Sequence, residues 1–382
     1  MGRCGNFKII SKIAVLGVLF LLLLSFGWDR IELESRAFVI TIGIDAGDGE
    51  YPFEVSMNIS DTAAIGGGEK ESYTVTRTAM GGSLADAMRQ IEAKISDKIY
   101  YGHAKMVVLG ESVLEDRYLL GEVIDTFVRN DEINIKTIVM ATEKTAAEIL
   151  SAKTGEQSFL GTDIADFYNK NDTNTASSVV KLDIEKMEAN LRNDRSVIIP
   201  KIDLSDDEET EISIGGVAVV KDFSLAGYIP EESTGGFLWL KENAAGTRVA
   251  IDVEGGHITL LVSKSKPKLD FYEEGGRLYC LAKLKIEGSI EGARFVEEDL
   301  FETGKIMALQ QDFAEKIHKE IEETFYVLQQ DFAVDGFGLK EQLRKKKWRL
   351  YQAYGPVWES IFEDIQLDAE INLTIRNTGA IK

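Results

Sequence analysis

The sequence predicts an α+β protein of more than one domain, with mixed β-sheets flanked by helices, behind an N-terminal membrane anchor or signal segment. Three observations lead there. Hairpin-like strands open the exported part and then alternate with amphipathic helices. Farther on, strands separated by glycine turns run into one long amphipathic helix. Ahead of both lies a basic leader followed by an apolar run. At 382 residues the chain has length for two or three domains, and its 44% apolar content is that of a globular protein.

The leader comes first. Lys8 and Lys12 precede the apolar core Ile13–Phe26, about 14 residues, whereas a spanning helix takes about 17–25. Counted from Ile9, with Lys12 snorkelling, the stretch approaches spanning length. Ser25 and Gly27 are small residues placed for cleavage after Gly27. Segment 1–27 is therefore either a retained anchor or a cleaved signal, and in both cases the bulk of the chain is exported. The remainder divides at the acidic run Ser205-Asp206-Asp207-Glu208-Glu209, giving an N-terminal domain over 28–204 and a C-terminal domain over 205–382.

Within 28–204, Arg36–Asp45 and Tyr51–Asn58 form a hairpin around the Gly47-Asp48-Gly49 turn. Glu71–Thr78 is a third strand after the Gly66-Gly67-Gly68 loop. In Ser83–Ile95, Leu84, Met88, Ile91 and Ile95 recur at helical spacing, with Ser83 as N-cap and Asp86 in the capping-box position. Strand Lys105–Leu109, helix Tyr118–Val128, strand Ile133–Ala141 and a helix opening at Thr145–Leu150 follow. Ser158–Asn169 and Ser177–Asn190 are expected as helices around the Asn171-Asp172-Thr173-Asn174 linker, a helical subdomain over about 154–194.

In the C-terminal domain, strands Ile212–Val220 and Ser224–Tyr228 precede a short helix near Glu231–Leu240. Strands Arg248–Val253, His257–Ser263, Lys268–Tyr272 and Arg277–Glu287 follow, with turns at Gly255-Gly256 and Gly275-Gly276. Glu297–Gln329 is a long helix whose Leu300, Ile306, Leu309, Phe313, Ile317, Ile321, Phe325 and Leu328 make one stripe, packed on the preceding sheet. Gly336-Phe337-Gly338 breaks it, a basic helix Leu339–Tyr354 follows, and Asp364–Arg376 alternates as a half-buried strand.

Composition excludes several function classes. A net charge of −21 argues against nucleic acid, where Lys and Arg must neutralise phosphates. The acidic run lacks the ligand spacing, central glycine and terminal glutamate of an EF-hand and reads as a solvated loop. The three histidines, His103, His257 and His318, are far apart and offer no zinc set. Gly66-Gly67-Gly68-Glu69-Lys70 lacks the spacing and the Ser/Thr of a P-loop, and Gly81-Gly82-Ser83 is no nucleophile elbow. Cys280, alone beyond the leader apart from Cys4 within it, reads as a small buried hydrophobe. The sequence thus points to a protein without catalytic residues, cofactor, metal or assigned small-molecule ligand. Its one dense basic patch is Arg344, Lys345, Lys346, Lys347, Trp348 and Arg349, either a solvated helix face or a contact with anionic lipid or an acidic partner.

Several segments share a resemblance. The run Leu24-Ser25-Phe26-Gly27-Trp28-Asp29-Arg30-Ile31-Glu32-Leu33 is similar to the start of the Ger(x)C-type spore germination proteins, the C subunits of nutrient germinant receptors. Tyr101–Glu111, Phe127–Ile133, Gly215–Lys221 with Leu225–Tyr228 and Gly236–Lys241, and Asp335–Gly338 with Trp358 and Arg376–Gly379 resemble later family segments in the same order. In that family the leader ends in a lipidated cysteine; here Gly27 stands at its position, and Cys4 lies on the wrong side of the apolar run. The resemblance implies a non-enzymatic accessory subunit at the spore inner membrane, its bulk extracytoplasmic, working with the A-type and B-type membrane subunits in receptor assembly or signal relay. The alternative is a stand-alone exported solute-binding protein, which would need a cleft between two similar lobes.

Overall fold

The computed structural model describes residues 16–17, 36–60, 74–152, 160–170, 180–205, 212–240, 244–253, 256–294 and 303–377. The leader apart from Leu16 and Gly17, Gly27 with its flanking run, the Gly66–Gly68 loop, the Asn171–Asn174 linker, the acidic residues after Ser205 and Leu300 lie outside the described residues.

The first half builds a mixed sheet. Strands β1 (Arg36–Ala46) and β2 (Phe53–Ser60) form the expected hairpin, and β3 (Thr74–Gly81) adds antiparallel to β2. The short β4 (Lys98–Tyr100) and then β5 (Met106–Gly110) both pair parallel to β1, and β6 (Ile138–Thr142) pairs parallel to β5. Helices fill the crossovers: α1 (Leu84–Glu92), α2 (Glu111–Glu115), α3 (Arg117–Arg129), α4 (Ala146–Ser151), α5 (Leu160–Lys170) and α6 (Ile184–Asp194). Their starts are written in side chains. Ser83 Oγ accepts from Asp86 N at 3.1 Å, Asp116 caps α3, and Thr145 with Glu148 forms a capping box on α4. The strand expected over Ile133–Ala141 begins only at Ile138, because Asn130 and Asn134 side chains accept from Glu132 N and Lys136 N and hold the approach in turns. The helix expected over Ser177–Asn190 starts at Ile184, where Asp183 caps it; the preceding Leu182 carbonyl accepts from Val139 N instead.

A strand absent from the sequence reading, β7 (Ser196–Leu204), joins the two halves. It pairs parallel with β6 at Ala141 and Lys201, and antiparallel with β8 (Ile212–Lys221), which continues into β9 (Ser224–Ile229). The sheet thus has nine strands, running β3-β2-β1-β5-β6-β7-β8-β9 with β4 beside β1. Both faces of β7–β8 are buried, each in a different core. Val197, Ile199, Ala218 and Val220 pack with the strands and helices of the first half. Ile198, Val217 and Val219 pack with the second half. Period-two alternation makes this one strand pair the wall between two hydrophobic interiors.

The second half holds a separate four-stranded sheet in the order β10-β11-β12-β13. Strands β10 (Arg248–Val253), β11 (Gly256–Glu274) and β12 (Arg277–Arg294) are antiparallel, and β13 (Gln366–Asn377) runs parallel to β12. The two strands expected at His257–Ser263 and Lys268–Tyr272 are one strand, β11, which passes straight through Pro267. Beyond Leu261 its outer side no longer faces β10, so an edge position tolerates the missing N–H. Gly275 and Gly276, at φ +60° and +79°, turn the hairpin. After α7 (Gly235–Leu240) earlier in the chain, α8 (Thr303–Tyr326) covers this sheet; Leu309, Phe313, Ile317, Ile321 and Phe325 are buried as the stripe requires, and Leu328 is buried just beyond it. A π turn, Val327–Phe332, ends it at Ala333 in left-handed conformation, ahead of the expected glycine break. The basic helix is two helices, α9 (Leu339–Lys346) and α10 (Trp348–Tyr354), and an unforeseen α11 (Trp358–Asp364) leads to β13. Among the described residues no helix is long and apolar enough to cross a membrane.

Candidate interaction surface

The basic segment owes its shape to the break at Lys347, whose backbone sits at φ −137°, ψ 63° between the two helices. Upstream, Gly338 occupies the N-cap of α9 at φ +69° with no side chain to offer. Asp335 supplies the cap instead: its carboxylate accepts from Leu339 N at 2.9 Å and Lys340 N at 2.8 Å. Burial pushes the Asp335 pKa up, against the opposing pull of those two amides.

The six residues of the basic run have different employment. Lys346 Nζ donates to the Leu269 carbonyl at 3.0 Å, and Lys347 pairs with Asp270 at 3.0 Å, so both lie on β11. Lys347 holds the Asp270 carboxyl below its usual range. Arg344 forms a two-pronged pair with Glu341 at 2.6 and 2.7 Å, and Lys345 reaches the same carboxylate at 3.3 Å. Arg344, ahead of Lys345, keeps Glu341 depressed. Arg349 is exposed and makes no ion pair among the described residues. Trp348 is 57% exposed and stacks on Tyr351 with ring centroids 5.4 Å apart. The outward surface of the run is therefore Arg344, Lys345, Trp348 and Arg349. Exposed pairs such as Lys345 with Glu341 are worth about 0–1 kcal/mol and leave both charges available to a partner.

Beside this surface lies a groove of about 630 Å³ between α6 and α9. Lys186, Asn190 and Asn193 line it from α6, and Lys340, Gln342 and Arg344 from α9. Lys340 pairs with Asp194 across it at 3.1 Å, joining residues 146 positions apart. The sequence alone does not single out these groove residues; its one trace is the polar spacing of Lys186, Asn190 and Asn193 on a single helix face.

The other residues considered for chemistry take structural places. His103 packs edge-on against Phe38 and Tyr100, His257 pairs with Asp252, and His318 pairs with Glu322 at 3.2 Å. Cys280 is buried within β12, and burial drives its thiol pKa far up. Among the described residues no group of three or more His, Cys, Asp or Glu is arranged to hold a metal.

Two unlike sheets, with one strand pair of the larger sheet standing between two hydrophobic cores, define an α+β protein. Comparison with known proteins gives the family. A family model described as the spore germination protein N-terminal domain matches residues 29–204, and one described as spore germination B3/GerAC-like, C-terminal, matches residues 215–379. Spore germination protein B3 of Bacillus subtilis (strain 168) is 22% identical over 380 residues, spanning 98% of this chain and 99% of that protein. Spore germination protein KC of the same organism is 23% identical over 398 residues, 96% and 95% respectively. The crystal structure of the GerBC protein superposes with a TM-score of 0.59 at 17% identity, over 88% of this chain and 97% of that one, a likeness of fold. The chain belongs to the GerAC-like family of spore germination proteins.

Proposed function

We propose that this chain is a non-catalytic subunit of a nutrient germinant receptor at the spore inner membrane, its bulk outside the cytoplasm, required for receptor assembly or signal relay. The observation that carries the reading is correspondence along the whole length: both family domains occur in order, and spore germination protein B3 is matched from end to end. The leader argues for export, with Gly27 at the acylated position of the family leaving the apolar segment or the partners to hold the chain at the membrane. Two multi-span membrane subunits are the partners this reading requires, and the exposed Arg344, Lys345, Trp348 and Arg349 are the surface it offers them or the lipid. A stand-alone solute receptor fits less well, since a nine-stranded and a four-stranded sheet are not two similar lobes.

Affinity purification of the chain from detergent-solubilised dormant-spore membranes, followed by mass spectrometry, tests the proposal. Two multi-span proteins are expected to co-purify. Recovery of the chain alone, in a wash that needs no detergent, would sink the receptor reading.

A further inference from the structure

The groove between α6 and α9 carries recognition chemistry that folding does not use. Lys186, Asn190 and Asn193 fall at i, i+4 and i+7 on α6 and so share one face. Among the described residues the side-chain amides of Asn190, Asn193 and Gln342 make no hydrogen bond. An amide offers a donor and an acceptor side by side, the same pair that a peptide group presents. From Lys186 to Asn193 the helix rises about 10.5 Å, which matches about three residues of extended chain at about 3.3 Å each. A row of uncommitted amides at that spacing suits the main chain of an extended segment better than a compact solute.

Charge narrows the occupant further. In the groove lining Lys181, Lys186, Lys340 and Arg344 outnumber Asp194, Asp335 and Glu341. Over the whole chain 64 acidic residues outnumber 43 basic ones, so the groove reverses the balance of the molecule. Asp335 is already committed to capping α9. The other two carboxylates hold Lys340 and Arg344 through partly exposed pairs, and an incoming carboxylate can replace such a pair at little cost.

We infer that this groove receives an extended acidic segment of another protein. Asn190, Asn193 and Gln342 read its main chain. One of its carboxylates exchanges for Asp194 at Lys340, or for Glu341 at Arg344. The inference stands apart from the receptor reading, since any acidic partner would serve.

The test pans a random-peptide display library on the full-length chain in detergent and measures the enriched peptides by fluorescence anisotropy. Peptides rich in Asp and Glu are expected. Their binding should weaken about tenfold or more in Lys340→Glu with Arg344→Glu, and also in Asn190→Ala with Asn193→Ala. The second pair changes no charge and keeps the test decisive if the first disturbs folding; melting temperatures identify that case. Arg349→Glu, outside the groove lining, should leave binding nearly unchanged. Absence of acidic enrichment, or binding that follows only Arg349, would overturn the inference. So would vesicles of phosphatidylglycerol that bind through the groove residues while no peptide does.

Discussion

The Lys346 ammonium donates to the carbonyl oxygen of Leu269 at 3.0 Å, which fixes the basic segment onto the open edge of β11. Along that edge Pro267, Leu269 and Phe271 alternate to the same side. Pro267 has no N–H to offer, Lys346 takes the Leu269 carbonyl, and Asp270 Oδ1 accepts the Phe271 N–H at 2.9 Å. Lys347, paired to Asp270, completes the cover. Proline, lysine and a local carboxylate are the means by which an exposed strand edge is kept from pairing with another chain. Lys346 and Lys347, two of the six residues of the basic patch, thus form an edge guard. Lys346→Ala is expected to lower stability by about 1 kcal/mol and to increase self-association. Chemical denaturation and sedimentation velocity would measure the two effects, and an unchanged monomer would reject the guard role.

The outward residues should behave differently. Lys345→Glu with Arg349→Glu removes charges that hold no strand, so melting should shift by less than about 0.5 kcal/mol equivalent. Recovery of partners or anionic vesicles should nevertheless fall. Lys347→Glu, facing Asp270, should instead lower the melting temperature. If both variants act alike in both assays, the division of the patch is wrong.

Legibility in the sequence followed the range of the interactions. The β1–β2 turn, the Ser83 cap, the helix opening at Thr145 and the buried stripe of α8 depend on neighbours a few residues away, and the pattern showed them. Strand β7 was hidden because Pro200 and Lys201 interrupt the apolar Val197–Ile199, and its pairing with β8 carries a register shift there. Strand β11 looked like two because Lys264, Lys266 and Lys268 flank Pro267, a composition that suits an edge rather than a gap. Of the groove the sequence carries only the polar spacing on α6, since Lys340 and Asp194 are 146 positions apart and only the tertiary fold brings them together.

A second long-range relationship lies in the first half. Asp45, 2% exposed at the end of β1, accepts from Ala146 N at 2.7 Å and Ala147 N at 3.0 Å, capping α4 from a distant strand. A Cβ at Gly110 would fall on Asp45 Oδ1. Gly110→Ala should therefore destabilise by about 3 kcal/mol through overpacking and loss of the cap. Urea denaturation would show it; a loss under about 1 kcal/mol would mean that the cap moves freely.

The same carboxylate makes a pH prediction. Burial raises the Asp45 pKa above 3.8, outweighing the two amides, and Glu54 and Glu148 push in the same direction. A carboxyl whose folded pKa is raised binds its proton more tightly when folded. Its contribution is complete below about 3.8 and is lost as pH rises through the folded value. Asp45→Asn cannot titrate, so its stability relative to wild type should improve between pH 4 and neutrality. Paired urea melts across that range would decide, a constant difference being the contrary result.

The strand pair β7–β8 makes the last prediction, because it decides whether the halves can exist apart. Separation at residue 205 would take Ala218 and Val220 from the first core and Ile198 from the second. It would also open the whole paired edge of β7. Losing large buried side chains costs about 2–5 kcal/mol each, against a total stability of about 5–15 kcal/mol. Fragments 28–204 and 205–382 expressed singly should therefore aggregate or bind hydrophobic dye, whereas co-expression should return one soluble complex. A chain cleaved only within 206–211, between β7 and β8, should stay assembled and melt in one transition. Two fragments that each fold alone, with sharp and dispersed amide spectra, would show that the shared wall is a contact between finished domains rather than part of either core.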